Sequence, residues 1–193
     1  MIIGVTGPTG SGKGEVSKYL KSLRFIHIDF DVLSRDVQKK GSPCLKEITD
    51  AFGMDIIDTN GNLKRQELGK IVFSSKEKLD ILNAITHKYI LKKADEIISR
   101  SKNSDIILDA PLLFEANLNK KCDYTLSVLA KKEIRLERII KRDNLSKDDA
   151  LRRIESQKDD NFYIEKSDFF VYNNESKDKL IKFLTQLLRR IKK

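Results

Sequence analysis

The sequence predicts a three-layer α/β protein that is built on a five-stranded parallel sheet and carries a helical insertion. Short apolar segments alternate with longer amphipathic segments along most of the chain. Strands that are separated by helices pair in parallel through right-handed crossovers. Between the second and third predicted strands, residues 43–100 show the helical spacing of apolar residues, which only the turn signal Asn60-Gly61 interrupts.

Each predicted strand is a short apolar run that is bounded by polar residues or by a glycine turn. The predicted strands are residues 2–6, 25–29, 105–109, 124–129 and 169–172. Each predicted helix carries its apolar residues on one face. Besides the stretch 43–100, the predicted helices are residues 15–23, 31–40, 131–142, 146–157 and 177–191. The segment 75–100 is long for a single helix, so a kink within it would be expected.

The composition is that of a globular protein. Of the 193 residues, 39% are hydrophobic and 35% are charged. No apolar run approaches the roughly 20 residues of a membrane-spanning helix. The first residues carry neither a basic leader nor a cleavage site of small residues, so we expect no secretory signal.

The charge balance favours anionic partners. Thirty-eight Lys and Arg against 29 Asp and Glu give a formal net charge of +9. Nucleotides, phosphorylated metabolites, nucleic acid or an acidic surface would all suit that charge. A solvated basic surface explains most of it, however.

Cysteines and histidines are too few for a zinc cluster. Cys44 and Cys122 lie far apart with no CxxC spacing, and His27 and His87 are the two histidines. We expect both cysteines to be reduced, as in a cytoplasmic protein. We expect His27 to be packed or solvent-facing.

The most informative segment runs from Gly7 to Gly14 and reads GPTGSGKG. It follows a strand and precedes a helix, which is the context of a phosphate-binding loop. Glycines allow successive backbone N–H groups to point at one anion, and the helix N-terminus adds its positive dipole. Lys13, expected to be exposed at the mouth of the loop, supplies a full charge for the β- and γ-phosphates. The alternative is a glycine turn that serves packing alone.

The residue after Lys13 departs from the usual pattern of such loops. A Ser or Thr there supplies a hydroxyl to Mg²⁺. Here the position is Gly14, and Glu15 follows it. We therefore expect Mg²⁺ to be held through water or by carboxylates elsewhere.

Carboxylates end two of the predicted strands, where parallel sheets bind ligands. Asp29 and Asp31 follow the second strand, and Asp109 ends the third. Such groups accept a proton or hold a metal-bound water, so Asp31 and Asp109 are the candidate carboxylates for Mg²⁺ through water. Alternatively, Asp29 or Asp31 caps the next helix. The apolar run 111–114 after Asp109 is either a ligand wall or packing for the insertion.

These motifs resemble those of the dephospho-CoA kinase family, in order and over essentially the whole chain. In chain order, the matching residues are Gly7 to Lys13; Asp29, Asp31 and Arg35; Gly61, Arg65, Leu68, Val72 and Phe73; His87 and Ile90; Asp109 and Pro111 to Glu115; Leu136, Arg138, Arg142 and Asp143; Ala150, Arg153, Ile154 and Gln157; and the segment 167–173. Three positions depart from the family pattern, namely Gly14, Lys88 in place of proline and Ser167 in place of alanine.

The resemblance implies an enzyme that transfers the γ-phosphate of ATP to the ribose 3′-hydroxyl of dephospho-CoA, the last step of coenzyme A synthesis, with Mg²⁺. The implied ATP-binding residues are Gly10, Ser11, Gly12, Lys13, Gly14 and Glu15. Arg138 and Arg142 are implied to neutralise the transferring phosphoryl group from lid helices near residues 131–160. Apart from the resemblance, these two arginines fit a basic surface stripe as well.

The resemblance also implies which residues would bind the acceptor. Asp31 would orient or deprotonate the 3′-hydroxyl, while Arg65 and His87 would face the acceptor nucleotide. Leu112 and Leu113 are the implied apolar contacts with the substrate. The nucleotide-binding core would be residues 1–30 and 101–193, and the acceptor domain residues 31–100.

Two other functions stay open. Another small nucleoside or metabolite kinase of the same fold would share the loop and the lid arginines. A nucleic-acid-binding NTPase would suit the net charge, but aromatic residues make up only 7% and no basic run is interleaved with them. We therefore expect ATP and dephospho-CoA as partners, no nucleic acid and no membrane, and the oligomeric state is left open.

Overall fold

The protein was analysed as a computed structural model that describes residues 1–192. The chain divides into two compact units. The core unit is Met1–Ile28 together with the chain from Asn103 onward, and the helical unit is Asp29–Lys102. Within the described residues, no helix is both long enough and apolar enough to cross a membrane.

The sheet has five strands. They are β1 Ile2–Thr6, β2 Ile26–Asp29, β3 Ile106–Asp109, β4 Tyr124–Leu129 and β5 Phe169–Tyr172. Their order is β2-β3-β1-β4-β5. β1 pairs in parallel with β3 and β4, and β4 pairs in parallel with β5. The predicted fold class, a five-stranded parallel sheet between helical layers, is confirmed.

The α-helices of the described chain follow in sequence order. They are α1 Lys13–Ser22, α2 Phe30–Val37, α3 Pro43–Phe52, α4 Arg65–Phe73, α5 Lys76–Arg100, α6 Lys132–Asp143, α7 Lys147–Glu155, α8 Asp160–Lys166 and α9 Lys177–Ile191. Short 3₁₀ turns occupy Met54–Ile56 and Leu118–Lys121. The predicted long helix is α5, which runs uninterrupted for 25 residues.

The main core lies between the sheet and the helices α1 and α9. Ile3 and Val5 on β1 pack with Val16 and Leu20 on α1 and with Leu184 on α9. Apolar positions four apart on α1 meet the alternate positions of β1, as an amphipathic helix against a strand requires. This packing fixes β1 and α1, and therefore both ends of the glycine-rich loop that joins them.

The helical unit has a core of its own. Its fully buried residues are Cys44, Ile48, Ile56, Leu68 and Val72. The predicted interruption of the helical segment at Asn60-Gly61 is confirmed, and it is wider than the turn signal, since residues 57–63 are not helical. There the chain makes a turn at Gly61, with φ of 83°, and closes a bridge between Ile57 and Leu63.

Candidate active site

The loop between β1 and α1 has the backbone of an anion cradle. Gly10 and Gly12 have φ values of 78° and 91°, in the left-handed region that favours glycine. A Cβ on Gly12 would lie 2.1 Å from Nδ2 of Asn173, and one on Gly10 would lie 2.7 Å from the carbonyl oxygen of Arg135. The loop therefore requires glycine for its conformation and for the close approach of neighbouring segments.

The loop leads directly into the N-terminus of α1. Gly12 is the N-cap, and no side chain among the described residues caps this end. The N–H of Glu15 donates to the carbonyl oxygen of Gly12 at 2.9 Å, whereas the amides of Lys13 and Gly14 belong to the open first turn. The glycine loop and this helix end together form a site for an anion.

Lys13 forms an ion pair with Asp109 at the end of β3. The Lys13 side chain is 19% exposed and that of Asp109 is 7% exposed. The expectation that Lys13 is exposed at the mouth of the loop is therefore wrong. β3 lies beside β1, with Val5 opposite Asp109, so the carboxylate meets the first residue of α1.

Asp109 has two further partners. Ser17 Oγ donates to Asp109 Oδ2 at 2.7 Å, and Nε2 of His27 lies 3.0 Å from the same oxygen. Burial raises the pKa of Asp109, but the Lys13 charge and the hydrogen bonds from Lys13, Ser17 and His27 outweigh it and hold that pKa below its ordinary value. The site therefore contains an ionised, well-bonded carboxylate.

The sequence analysis missed two of these partners. Ser17 lies one helical turn after Lys13 and thus on the same face of α1. His27 is a polar residue within the apolar strand β2, the neighbour of β3 in the sheet. A polar side chain in a strand next to a predicted site carboxylate was the available signal.

Arg138, on α6, contacts the backbone of the loop. Its Nη1 donates to the carbonyl oxygens of Gly10 and Ser11 at 3.3 and 3.2 Å. Its Nη2 donates to the carbonyl oxygen of Asn173 at 3.0 Å. Asn173 Nδ2 donates to the Ser11 carbonyl at 3.0 Å. Arg138 thus lies at the loop, where its partners are backbone carbonyl oxygens, and its role toward the phosphoryl group stays a prediction.

A second arginine, which the sequence analysis did not single out, contacts the start of the loop. Arg135 is buried, and its Nε donates to the carbonyl oxygen of Thr9 at 2.9 Å. Gln157 Oε1 accepts from Arg135 Nη2 at 3.1 Å and from the Thr9 N–H at 2.8 Å. Helix α6 and the segment after α7 are thereby attached to the loop.

Arg142 is more open to solvent than these arginines. It is paired with the adjacent Asp143 at 2.7 Å, and its Nη2 lies 3.3 Å from Thr9 Oγ1. The hydrogen bond to Asp143 raises the pKa of Arg142. Arg142 therefore carries a charge close to the loop while it keeps access to solvent.

The remaining predicted ATP-binding residues differ in their surroundings. Ser11 is buried, and its Oγ has no hydrogen-bond partner within the described residues. A Cβ on Gly14 would meet no atom of residues 1–192 within 4 Å. The Glu15 carboxylate bonds Lys18 at 2.9 Å, which is the largest cause of its lowered pKa. The Glu15 carboxylate is therefore occupied by Lys18, and its role in ATP binding stays a prediction.

The two leucines after β3 point to different roles. Leu112 is 57% exposed, whereas Leu113 is fully buried. A Cβ on Gly4 of β1 would lie 2.9 Å from Leu113 Cδ2, so this leucine fills the space over the glycine. The expectation that Leu113 contacts substrate is corrected, since Leu113 is a core residue.

Within the helical unit, Asp29 caps α2. Its Oδ1 accepts from the N–H groups of Asp31 and Val32 at 2.9 and 3.1 Å. Of the two roles that the sequence left open for Asp29, the structure therefore shows the helix cap. Asp31 lies in the first turn of α2 with an exposed side chain. The cap fixes the backbone that presents the Asp31 carboxylate.

Arg65 lies at the start of α4, where its Nη1 donates to Oε1 of the buried Gln38. Burial and, after it, the charge of Arg35 lower the pKa of Arg65. Two guanidinium groups that repel each other make an electropositive surface suited to an anion. His87 is exposed on α5.

Comparison with known proteins gives one consistent result. The Dephospho-CoA kinase family model matches residues 1–179. A dephospho-CoA kinase of Fusobacterium nucleatum is 41% identical over 182 residues, which cover 94% of this chain and 94% of that protein.

Solved structures agree with this match. A crystal structure of a Thermus thermophilus protein has a TM-score of 0.85 and 29% identity, over 98% of this chain and 97% of that one. The dephospho-CoA kinase from Campylobacter jejuni has a TM-score of 0.72 and 27% identity, over 98% of this chain and 96% of that one. The resemblance read from the motifs is confirmed, and the chain belongs to the dephospho-CoA kinase family.

Proposed function

We propose that this chain transfers the γ-phosphate of ATP to the ribose 3′-hydroxyl of dephospho-CoA and so completes coenzyme A. The observation that carries the proposal is the glycine loop at the N-terminus of α1, with Lys13 and an ionised Asp109 beside it. Membership of the family supports the choice of acceptor. It does not favour another metabolite kinase or a nucleic-acid-binding NTPase.

The phosphates of ATP bind to the loop and to the first turn of α1. The amides of Lys13 and Gly14 point along the helix axis, where the helix dipole favours negative charge. Lys13 exchanges Asp109 for the β- and γ-phosphate oxygens when ATP binds. Arg142 contributes a guanidinium charge near the same loop.

Mg²⁺ fits the chemistry of the donor groups. The pKa of Asp109 lies below its ordinary value, so its carboxylate is anionic. Hard cations prefer oxygen ligands of this kind. Asp109 would hold the ion directly or through water once Lys13 has turned to the phosphates. When bound, Mg²⁺ offsets the charge of the phosphate oxygens. Gly14 offers no hydroxyl, so the chain relies on its carboxylates.

The helical unit binds the acceptor. Arg65 and Arg35 form the electropositive surface that suits the phosphates of dephospho-CoA. Asp31, held in place by the cap at Asp29, orients the 3′-hydroxyl and accepts its proton. His87, exposed on α5, belongs to the proposed acceptor contacts of this unit. Leu112, exposed in the core unit, stays a predicted substrate contact.

The proposal includes a cytoplasmic enzyme whose partners are ATP and dephospho-CoA. A test measures ADP release with dephospho-CoA as the acceptor and identifies the product by mass. Adenosine, other nucleosides and RNA serve as alternative acceptors or activators. Release with dephospho-CoA alone supports the proposal, whereas faster release with a nucleoside, or stimulation by RNA, overturns it.

A variant separates acceptor binding from ATP binding. Arg65→Gln removes the charge beside Arg35 and should raise KM for dephospho-CoA about tenfold, while KM for ATP is unchanged. Arg100→Gln, at the exposed end of α5, is the matched control and should change neither constant. An unchanged KM for dephospho-CoA in Arg65→Gln would remove Arg65 from the acceptor site.

A further inference from the structure

Three consecutive carbonyl oxygens of the phosphate loop are bound by side chains from outside the loop. Arg135 donates to Thr9, while Arg138 donates to Gly10 and Ser11. The Ser11 carbonyl receives a second donor from Asn173, at 3.0 Å. A loop that needed glycines only for its turns would not require this set of donors.

The contacts of Arg138 and Asn173 form a closed arrangement. Arg138 Nη2 donates to the backbone carbonyl of Asn173, and the Asn173 side chain donates to the carbonyl that Arg138 Nη1 also binds. The end of β5 and helix α6 therefore hold the same peptide group. The Asn173 side chain is buried, so water competes little for its hydrogen bond.

The direction of a bound carbonyl determines the direction of the next N–H. In a trans peptide the C=O and the N–H of the following residue point in opposite directions. Holding the Ser11 carbonyl from one side therefore aims the N–H of Gly12 to the other side. Gly12 is the N-cap of α1, so its N–H lies next to the helix amides that face an anion.

We propose that Arg138 and Asn173 are positioning residues, which hold the Ser11 peptide so that the Gly12 N–H is directed at the phosphates. This rests on the proposed function, because it assigns the phosphates of ATP to the loop. Both terminal nitrogens of the Arg138 guanidinium group donate to backbone oxygens, in three hydrogen bonds. Arg138 thereby acts through the hydrogen bonds that it donates to the loop rather than through its charge.

Asn173, which binds the same carbonyl as Arg138 but carries no charge, provides the decisive comparison. Asn173→Ala removes one donor to the Ser11 carbonyl without a change of charge, and Arg138→Met removes the other with much of the aliphatic volume kept. Each variant should weaken ADP binding about tenfold, measured by calorimetry, and leave adenosine binding unchanged. The double variant should lose less than the product of the two single effects, because both donors serve one peptide.

Controls separate positioning from charge and from folding. Arg152→Met removes an exposed arginine of α7 that is paired with Asp149, and it should bind ADP as the wild type does. Arg138→Lys keeps the charge but loses the fork of donors, so it should resemble Arg138→Met. Thermal unfolding of each variant shows whether it is folded. If Arg138→Met does not fold, Arg138→Lys and Asn173→Ala carry the comparison.

The kinetic split gives a second readout. A positioning role raises KM for ATP by the same factor as the loss of ADP affinity and changes kcat little, since the loop holds phosphate throughout the reaction. Wild-type ADP binding in Asn173→Ala, or a large loss of kcat in Arg138→Met with unchanged ADP affinity, overturns the proposal. ADP binding needs no acceptor, so failure of the enzyme to phosphorylate dephospho-CoA would leave this test intact.

Discussion

Lys13, the first residue of α1, is paired with Asp109, the last residue of β3. The charge that a phosphate would meet is thus already neutralised by a buried carboxylate. In the proposed function, binding of ATP would replace one anion with another, so the site would not leave a buried lysine uncompensated at any stage. The same exchange frees one oxygen of Asp109 for a cation.

Lys13→Ala should abolish phosphoryl transfer and also destabilise the protein. The variant leaves the Asp109 carboxylate buried with only Ser17 and His27 as partners. We expect a loss of about 2 kcal/mol in the free energy of unfolding, less than for a fully unpaired buried charge. Urea denaturation measures it. The double variant Lys13→Ala with Asp109→Asn should recover part of the loss, and a Lys13→Ala protein as stable as the wild type would contradict this account.

The stability that Asp109 contributes should depend on pH in the acid range. The pKa of Asp109 is lowered in the folded protein, so its contribution is present above the ordinary value of about 3.9 and is lost as the pH falls through the lowered value. Urea midpoints of the wild type and Asp109→Asn, measured from about pH 6 to about pH 3, should converge at the acid end. The pH-dependent contributions of the other carboxylates cancel in this comparison, because both proteins carry them. A gap that stays constant over the range would show that Asp109 does not titrate in this way.

Gly14→Ser should lower the Mg²⁺ concentration for half-maximal rate. The new side chain meets open space and places a hydroxyl at the start of α1. Gly14→Ala is the matched control, because it adds a Cβ and raises helix propensity without the oxygen. Activity is titrated against Mg²⁺ for both variants. Equal Mg²⁺ requirements in the two variants would show that the missing hydroxyl has no effect on metal binding.

The strands and the loop could be predicted because their signals are local. β1, β4, β5 and α9 follow the apolar runs that predict them, and GPTGSGKG identifies the loop on its own. Helix α8 was missed, since its seven residues are too few to show a helical period. Its N-cap, Asp159, was the available signal.

The supports of the loop could not be predicted because their partners are distant in sequence. Arg135 and Thr9 are 126 positions apart, and Asn173 and Ser11 are 162 apart. Sequence motifs identify the residues but not which atoms they contact. Leu113 illustrates the same limit, since only the structure shows the space over Gly4 that it fills.

Asp31→Asn tests whether the exposed carboxylate in the first turn of α2 accepts the proton of the acceptor hydroxyl. Asn keeps the size of the side chain, and the cap at Asp29 holds the backbone, so the fold and ATP binding should change little. General-base catalysis is worth roughly 10²–10⁴-fold. Phosphoryl transfer through a loose transition state needs little activation of the nucleophile, so kcat should fall by about 10²-fold, with KM for ATP nearly constant.

Asp36→Asn, on the same helix, is the control for the loss of one charge from α2. Asp36 is paired with Lys39 at 2.7 Å, and its replacement should leave kcat unchanged. The pH profile of kcat gives a further check, because the acid limb of the wild type should disappear in Asp31→Asn if this carboxylate must be ionised. A rate within about threefold of the wild type would reduce Asp31 to a residue of the first helical turn. A large rise in the Mg²⁺ requirement with a modest loss of kcat would instead assign Asp31 to the metal. Loss of a carboxylate that holds a cation weakens the binding of Mg²⁺ more than it slows the transfer of the proton.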